Sequence, residues 1–374
     1  MPISARQGAS LATDSARAVA DLAEQIGGPD LDVVFMFCSP AYDLKSVAES
    51  LQATFPCPII ACSSSGQIGP AGFQRGGMTA MSLRGGCLKV VPHLIQPLSD
   101  YQDQALRVSA AFRESISDPG GGHAFGFLVI DGLSMMEERV ASALYQALDN
   151  VPIIGGSAGD DLAFKQTQVY FDGQFRSDAA VFAACHVRGP VVPFMLKHFS
   201  PGEIHLVITD SDPDNRVIRE FNGEPAAQVY AEAIGLQVED LNPLAFSGHP
   251  LLLRIGEDHF IRSIAKMNPD LSLTLYCAID TGRVVTIGKC NNPFAALDKA
   301  FDQLMESVPD PIAILACDCI LRRLEFETLG LDREVGEYLA RHRVFGFSTY
   351  GEQINGLHVN QTLTGIALGR AGAV

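Results

Sequence analysis

Ser157 stands in the run Gly155-Gly156-Ser157-Ala158-Gly159, a literal G-x-S-x-G behind an apolar segment. A serine so placed is a nucleophile where a helix follows it directly and a histidine lies late in the chain. The residues after Asp160, DLAFKQTQVYF, read instead as loop and strand, and the same Ser/Gly turn recurs as CSSSG and STYG. Recurrence explains the match without catalysis, so no enzyme activity is expected. A second group is Cys317-x-Cys319, with Cys277 and Cys290 in the same half of the chain as further thiolate donors for a zinc ion. Structural zinc sites use two Cys-x2–4-Cys pairs, and here one Cys-x-Cys stands alone. Its two side chains share a face of an extended strand, which suits plain packing as well as a metal. A thiol sensor is the related reading, with Arg322 as the group that would depress a thiolate pKa. No P-loop, dinucleotide-binding or HExxH motif is present, which leaves nucleotide and metalloprotease readings without support.

The elements that must position these residues repeat three times. An apolar strand-like run, a helix-like segment, a second short apolar run and a Ser/Gly loop succeed one another after Asp32 (VVFMFCSPAYD, LKSVAESLQATF, IIACSSSGQI), after His123 (AFGFLVIDGLSM, MEERVASALYQALDN, PIIGGSAGDDL) and after Pro311 (IAILACDCILRR, LDREVGEYLARH, VFGFSTYGEQI). VVFMF, FGFLVI and IAILA are apolar at every position, as strands buried on both faces are. The connecting segments carry apolar residues at helical spacing, such as Val47, Leu51 and Phe55, or Val140, Leu144 and Leu148. Strands alternating with helices of this length imply right-handed βαβ crossovers, with ligands beyond the carboxyl ends of the strands. The Ser/Gly loops fall there, so Ser63, Ser64 and Gly66, Ser157 and Gly159, and Ser348, Gly351 and Glu352 are expected to offer hydroxyls and backbone N–H groups to a ligand. Each loop leads into a more polar, strand-rich stretch, with a hairpin turn at Asp172-Gly173. Between the second and third copies lies an antiparallel meander turning at Glu257-Asp258, Asn268-Pro269-Asp270 and Asp280-Thr281-Gly282. The fold class is α/β, with repeated βαβ units, mixed parallel and antiparallel sheets, and two domains.

The chain has 374 residues and a formal net charge of −16, with 27 Lys+Arg against 43 Asp+Glu. It lacks a basic cluster, which excludes partners gripped through phosphates or anionic headgroups. The apolar fraction of 47% excludes long disordered tracts. No signal-peptide core or membrane-spanning run is found, and nine irregularly spaced cysteines fit free thiols, so a cytoplasmic protein is expected.

IIACSSSGQI, PIIGGSAGDD, RSI from Arg262, the run from Tyr276 to Gly282 and FGFSTYGEQINGLHVNQT together resemble the FIST family of bacterial sensory modules, from about Asp30 to about Gly369. Within it, CDCILRR followed by FGFSTYGEQING is similar to the haem-containing, nitric-oxide-sensing branch called NosP. Residues 1–29 are expected to form a helical extension, the pattern places a boundary near 225–245, and the resemblance makes 30–235 a FIST N-like ligand-binding domain and 236–374 a FIST C-like sensory domain. It implies a sensor in a two-component or related signalling system, acting in trans on a histidine kinase or a cyclic-di-GMP enzyme, with a homodimer left open. Haem is the ligand so implied, reporting nitric oxide, and its iron needs an axial ligand such as His358, with His249 next and His198 and His205 behind it. In the competing reading His358 only hydrogen-bonds Asn360 or a loop carbonyl. Without a CxxCH the haem would be noncovalent. Tyr350 and Asn360 complete the pocket candidates, and Arg262 or the Arg322-Arg323 pair would hold propionates, or the carboxylate of an amino acid or other metabolite as the alternative ligand.

Overall fold

A computed structural model describes residues 4–86, 88–115 and 122–370, leaving Cys87 outside. The first repeat runs β1 (Ser4–Ser10), α1 (Ser15–Ile26), β2 (Leu31–Cys38), α2 (Leu44–Thr54), β3 (Ile59–Ser63), β4 (Gln67–Gly69), β5 (Gly72–Gln74) and β6 (Met78–Arg84). The second repeats it as β7 (Leu88–Ile95), α3 (Tyr101–Ser115), β8 (His123–Ile130), α4 (Glu137–Ala147), β9 (Ile153–Ser157), β10 (Val169–Phe171), β11 (Gln174–Arg176) and β12 (Ala180–Val187). The third opens with β13 (Val191–Leu196) and is then interrupted. The interruption holds β14 (Phe199–Asp212), β15 (Val217–Phe221), β16 (Glu224–Pro225), α5 (Ala226–Ile234), α6 (Pro243–Gly248), β17 (Leu251–Ile255), β18 (Asp258–Arg262), β19 (Ile264–Met267), β20 (Leu273–Leu275) and β21 (Val284–Cys290). The third repeat resumes with α7 (Pro293–Ser307), β22 (Ala313–Cys319), α8 (Ile320–Leu329), α9 (Asp332–Arg341), β23 (Val344–Thr349), β24 (Glu352–Ile354), β25 (Leu357–Val359) and β26 (Leu363–Leu368).

Two compact units result. One comprises Met1–Met195, Ala300–His358 and Leu363–Val374, the other Leu196–Lys299 and Val359–Thr362. Among the described residues the first unit has three six-stranded sheets, in the orders β1-β6-β2-β3-β10-β11, β7-β12-β8-β9-β24-β25 and β13-β26-β22-β23-β4-β5. Each contains a parallel pair, β2/β3, β8/β9 or β22/β23, flanked by an antiparallel return strand. Its far edge is filled by a hairpin belonging to another repeat. The hairpin of the first repeat joins the third sheet, that of the third joins the second, and that of the second joins the first. The expected 1–29 segment contributes β1, which pairs with β6 from Ser4↔Arg84 to Ser10↔Met78, and α1, capped by Asp14 accepting from the Arg17 N–H. These residues are part of the first repeat.

Alternate residues of the parallel strands face opposite ways, as the pleat requires. Val33, Phe35 and Phe37 of β2, Phe125, Phe127 and Val129 of β8, and Leu315 and Cys317 of β22 share one core, whereas Val34, Met36 and Cys38 pack under α1 and α2. In the shared core Phe37 stacks on Phe347 at 4.1 Å and Phe35 meets Phe127 edge-on at 5.4 Å. Each such ring contributes about 2–3 kcal/mol by leaving water. The second unit folds around its own antiparallel sheet, ordered β18-β17-β21-β14-β15-β20-β19 with β16 beside β15, and α5 supplies Tyr230 and Ala227 to its core. The expected turns at 268–270 and 280–282 link β19 to β20 and lead into β21.

Candidate functional site

The three Ser/Gly loops meet one another. The Ser65 N–H donates to the Ser348 carbonyl at 3.2 Å, the Tyr350 N–H to the Ser157 carbonyl at 3.3 Å, and the Gly159 N–H to the Ser63 carbonyl at 3.1 Å. First loop to third, third to second and second to first, these bonds close a ring. Further bonds tighten it: Ser348 N–H to the Gly66 carbonyl at 2.8 Å, Ser157 N–H to the Gly351 carbonyl at 2.9 Å, and the Gln353 amide to Ser157 Oγ at 2.9 Å. Ser63, Ser64, Ser157, Ser348 and Glu352 are all buried, and Glu352 accepts from the Thr349 hydroxyl. The backbone groups expected to hold a ligand therefore hold the neighbouring loops. Buried backbone polar groups must be paired, and here the repeats pair each other.

Around the ring stand the remaining candidates of the first unit. His358 is 1% exposed, with its ring Nδ1 3.1 Å from the Gln353 amide. The partner expected for it, Asn360, belongs to the short segment Val359–Thr362 of the other unit. Cys317 and Cys319 share a face, as foreseen, but Cys317 points into the common apolar core, where burial, then the fields of Glu352 and Asp318, push its thiol well above its ordinary value. That is the reverse of a reactive thiol. The run ILRR, read as the end of the Cys-x-Cys strand and the loop after it, is the start of α8. The helix brings Arg322 within 2.7 Å of Asp318, both 1% exposed, and sets its guanidinium over Phe326. Arg323 donates to the Gln74 carbonyl at 3.1 Å and to Glu327 at 3.1 Å, close against Gly66. Both arginines are engaged inside the protein, Arg322 on Asp318 at the end of β22 and Arg323 as a brace of the ring at Gly66.

In the second unit Arg262 is 6% exposed and donates to the Ile261 carbonyl at 3.2 Å. Gln361 accepts from Ser263 at 2.8 Å and donates to the Ser247 carbonyl at 2.9 Å, while neither amide atom of the buried Asn360 has a hydrogen-bond partner. His249 is exposed and turns its Nδ1 toward the Ala245 carbonyl at the end of α6. His198 is fully buried against Phe199, and His205 is exposed. The fold thus divides the sequence candidates between a ring in one unit and, in the other, buried polar residues around Asn360 and Gln361 with His249 and His205 exposed.

The ring also exposes the feature that residue type alone missed. From β3 the chain enters its hairpin after residues 64–66, and from β23 after residues 350–351, but from β9 it detours through residues 158–168. Within the detour Asp161, Leu162 and Phe164 take left-handed φ of 54°, 63° and 48°. Non-glycine residues there cost energy and cluster at functional positions. The detour forms one wall of a cleft of about 940 Å³, facing the β2–α2 loop (Pro40 to Lys45) and the β10–β11 turn (Gly173 to Phe175). This is the carboxyl end of the parallel strands, where α/β proteins bind ligands.

Asp160 organises the wall. Its carboxylate accepts from the Tyr350 hydroxyl and from the N–H groups of Phe164 (2.9 Å), Lys165 (2.6 Å) and Gln166 (2.9 Å). Burial raises its pKa, but the bonds from Tyr350 and the three N–H groups outweigh burial and hold it below the ordinary aspartate value. Opposite, Asp43 caps α2, accepting from Ser46 Oγ at 2.7 Å and the Lys45 N–H at 3.1 Å, which lowers its pKa too. Among the described residues Lys45 and Lys165 make no ion pair, and exposed Asp161 reaches only Ser39 Oγ at 3.4 Å. With Asp160 satisfied internally, the cleft offers two ammonium groups, two carboxylates, the amides of Gln166, Gln168 and Gln174, and the Phe175 ring.

The fold is thus a layered α/β architecture with a polar cleft at its strand ends. The FIST N domain model matches residues 32–224 and the FIST C domain model residues 226–355, and the chain belongs to the FIST family. FIST domains are sensory, small-ligand-binding domains. The division between the two models at 224/226 stands near the 235/236 boundary read from sequence, and neither coincides with the compact units. The chain is also 30% identical over 112 residues to the uncharacterized protein MJ1623 of Methanocaldococcus jannaschii, a match covering 29% of this chain and 21% of that protein. It therefore spans about a fifth of that relative's length. No described helix is long and apolar enough to cross a membrane.

Proposed function

We propose that this chain senses a small zwitterionic metabolite, an amino acid or close relative, held between the 158–168 detour and the β2–α2 loop, and passes its occupancy to a separate signalling protein. The observation carrying this reading is the detour itself: where two repeats turn directly into their hairpins, the second departs from the pattern to build the wall of a cleft. The pairing of free Lys45 and Lys165 with Asp43 and Asp161 matches a ligand of both signs. A histidine kinase or a cyclic-di-GMP enzyme remains the partner that the family resemblance suggests.

The haem and nitric oxide reading rests on CDCILRR and FGFSTYGEQING, whose residues build the ring and place Arg322 and Arg323 inside the protein. Gln353 engages only Nδ1 of the His358 ring, but that ring is almost wholly buried and has no open face toward a macrocycle. The cleft lining contains no His, Cys or Met and sets two lysines against three aspartates, a poor seat for two propionates. Thermal shift and calorimetry on the dialysed full chain decide between the ligands. A member of a panel of the twenty L-amino acids should stabilise it by about 2.7 kcal/mol at 100-fold over the dissociation constant, and Lys165→Ala should remove the effect. A Soret band after haem addition that disappears in His358→Ala, with no response to the panel, would replace this reading by the haem sensor.

A further inference from the structure

We infer that Tyr350 is the positioning residue of this cleft, fixing its wall from the third repeat so that cleft occupancy and the state of the ring are linked. The inference rests on the cleft being the ligand site, and it concerns how that site is held. Tyr350 is 7% exposed and sits in the ring, its own N–H donating to the Ser157 carbonyl. From there its side chain makes three contacts with the detour. Its hydroxyl donates to Asp160, accepts the Leu162 N–H at 2.7 Å, and its ring stacks on Phe164 at 5.0 Å and 20°. The first repeat adds two bonds, from the Asp161 N–H to Ser65 Oγ at 3.1 Å and from Ser39 Oγ to the Asp161 carboxylate at 3.4 Å.

The residues so held are the strained ones. Asp161, Leu162 and Phe164 keep left-handed backbone, and Leu162 and Phe164 are exposed apolar side chains, 36% and 50%, with little burial of their own to hold them. A segment with strained backbone and few buried contacts belongs to the low-stability end of a fold, so its position depends on the few bonds that pin it. Among the described residues Tyr350 supplies two of the four hydrogen bonds that tie residues 160–166 to other elements, and the ring stack besides. Asp160, Asp161, Ala163, Lys165 and Gln166 line the cleft from this same segment. Anything that draws the wall inward pulls on Tyr350, and by linkage a loosened Tyr350 changes ligand affinity by the same factor.

The test needs no ligand. In full-length protein, Tyr350→Phe keeps the ring and deletes both hydroxyl bonds. Hydrogen exchange at the Leu162, Phe164, Lys165 and Gln166 amides should quicken about tenfold or more, while the β8 and β9 amides keep their rates. The Asp160 carboxylate, followed by NMR, should titrate at higher pH than in the parent, a change that general loosening of the fold would not single out. Unchanged exchange and titration overturn the inference, whatever the cleft binds. Loosening of the detour without any response to the amino-acid panel would uphold the positioning role and overturn the ligand reading instead. If Tyr350→Phe fails to fold, Phe164→Ala at the exposed end of the stack should raise exchange across the same amides by a smaller factor, and no change there also overturns the inference.

Discussion

The loop after β3 and the loop after β9 begin alike and end differently. Both start from a buried serine, Ser63 or Ser157, and both give an N–H to the next loop of the ring. The first then turns straight into β4, whereas the second runs out to Gln168 before β10 begins. The first is bonded to its neighbours through the Ser64 and Ser65 N–H groups and the Gly66 carbonyl. The second is tied to other elements at both its ends, through Asp160, Asp161 and Leu162 and through Thr167 and Gln168, and leaves lysine, glutamine and aspartate side chains facing a cleft. Within one fold, the repeated part is architecture and the departure from it is the part available for function.

Substitutions can break this contrast, and the largest effects should fall on the ring. Arg322→Ala strands the Asp318 carboxylate inside the protein and should cost about 3–5 kcal/mol in urea unfolding; a loss under about 1 kcal/mol would show that the pair is dispensable. Gly66→Ala comes next. Gly66 has φ of 125°, and a Cβ there would overlap the Arg323 guanidinium, so about 2–3 kcal/mol should be lost. Replacing residues 160–168 by the short turn found after β23 should change stability by less than about 1.5 kcal/mol yet abolish amino-acid binding in calorimetry. Intact binding would remove the cleft from the mechanism.

Acid gives a smaller effect with a definite sign. Because its bonds hold Asp160 below its ordinary 3.8, its contribution is complete above that value and is lost as pH falls through the lower, folded one. Exchange of the detour amides, corrected for intrinsic rates, should therefore rise only in that acid range, and Asp160→Asn should abolish the step. Smallest of all, Lys45→Ala should move stability by no more than about 0.5 kcal/mol while weakening the ligand found in the panel, because Lys45 is exposed and makes no ion pair among the described residues.

The repeats were legible because buried parallel strands are apolar throughout, as VVFMF and FGFLVI are. The hairpin at Asp172-Gly173 was legible for the left-handed φ values, 46° and 76°, that its turn demands. The exchange of hairpins was not, because nothing local in QIGPAGFQ says that its partner is β23 and not β3. For the same reason the Ser/Gly loops read as cradles, when the groups they satisfy lie hundreds of residues away. β1 escaped notice because SARQGAS is polar, as an edge strand can be. α8 was hidden by the apolar residues that continue from strand to helix at Cys319-Ile320. The signal for the cleft was present in the longer second loop, and comparing spacings between the copies would have found it.

The exchanged hairpins also dictate the order in which the protein can be made. β4 emerges long before β23, yet Ile68 and Gln67 pair with Gly346 and Phe347. Until β23 is released, the first hairpin has an open edge and the shared core lacks its third wall. Contacts of such long sequence separation make folding slow, and an unpaired strand edge invites association with other chains. The nascent chain must carry this exposed hairpin through the synthesis of everything between β4 and β23, so its yield in a cell should depend more on chaperone supply and elongation rate than on the stability of the finished fold.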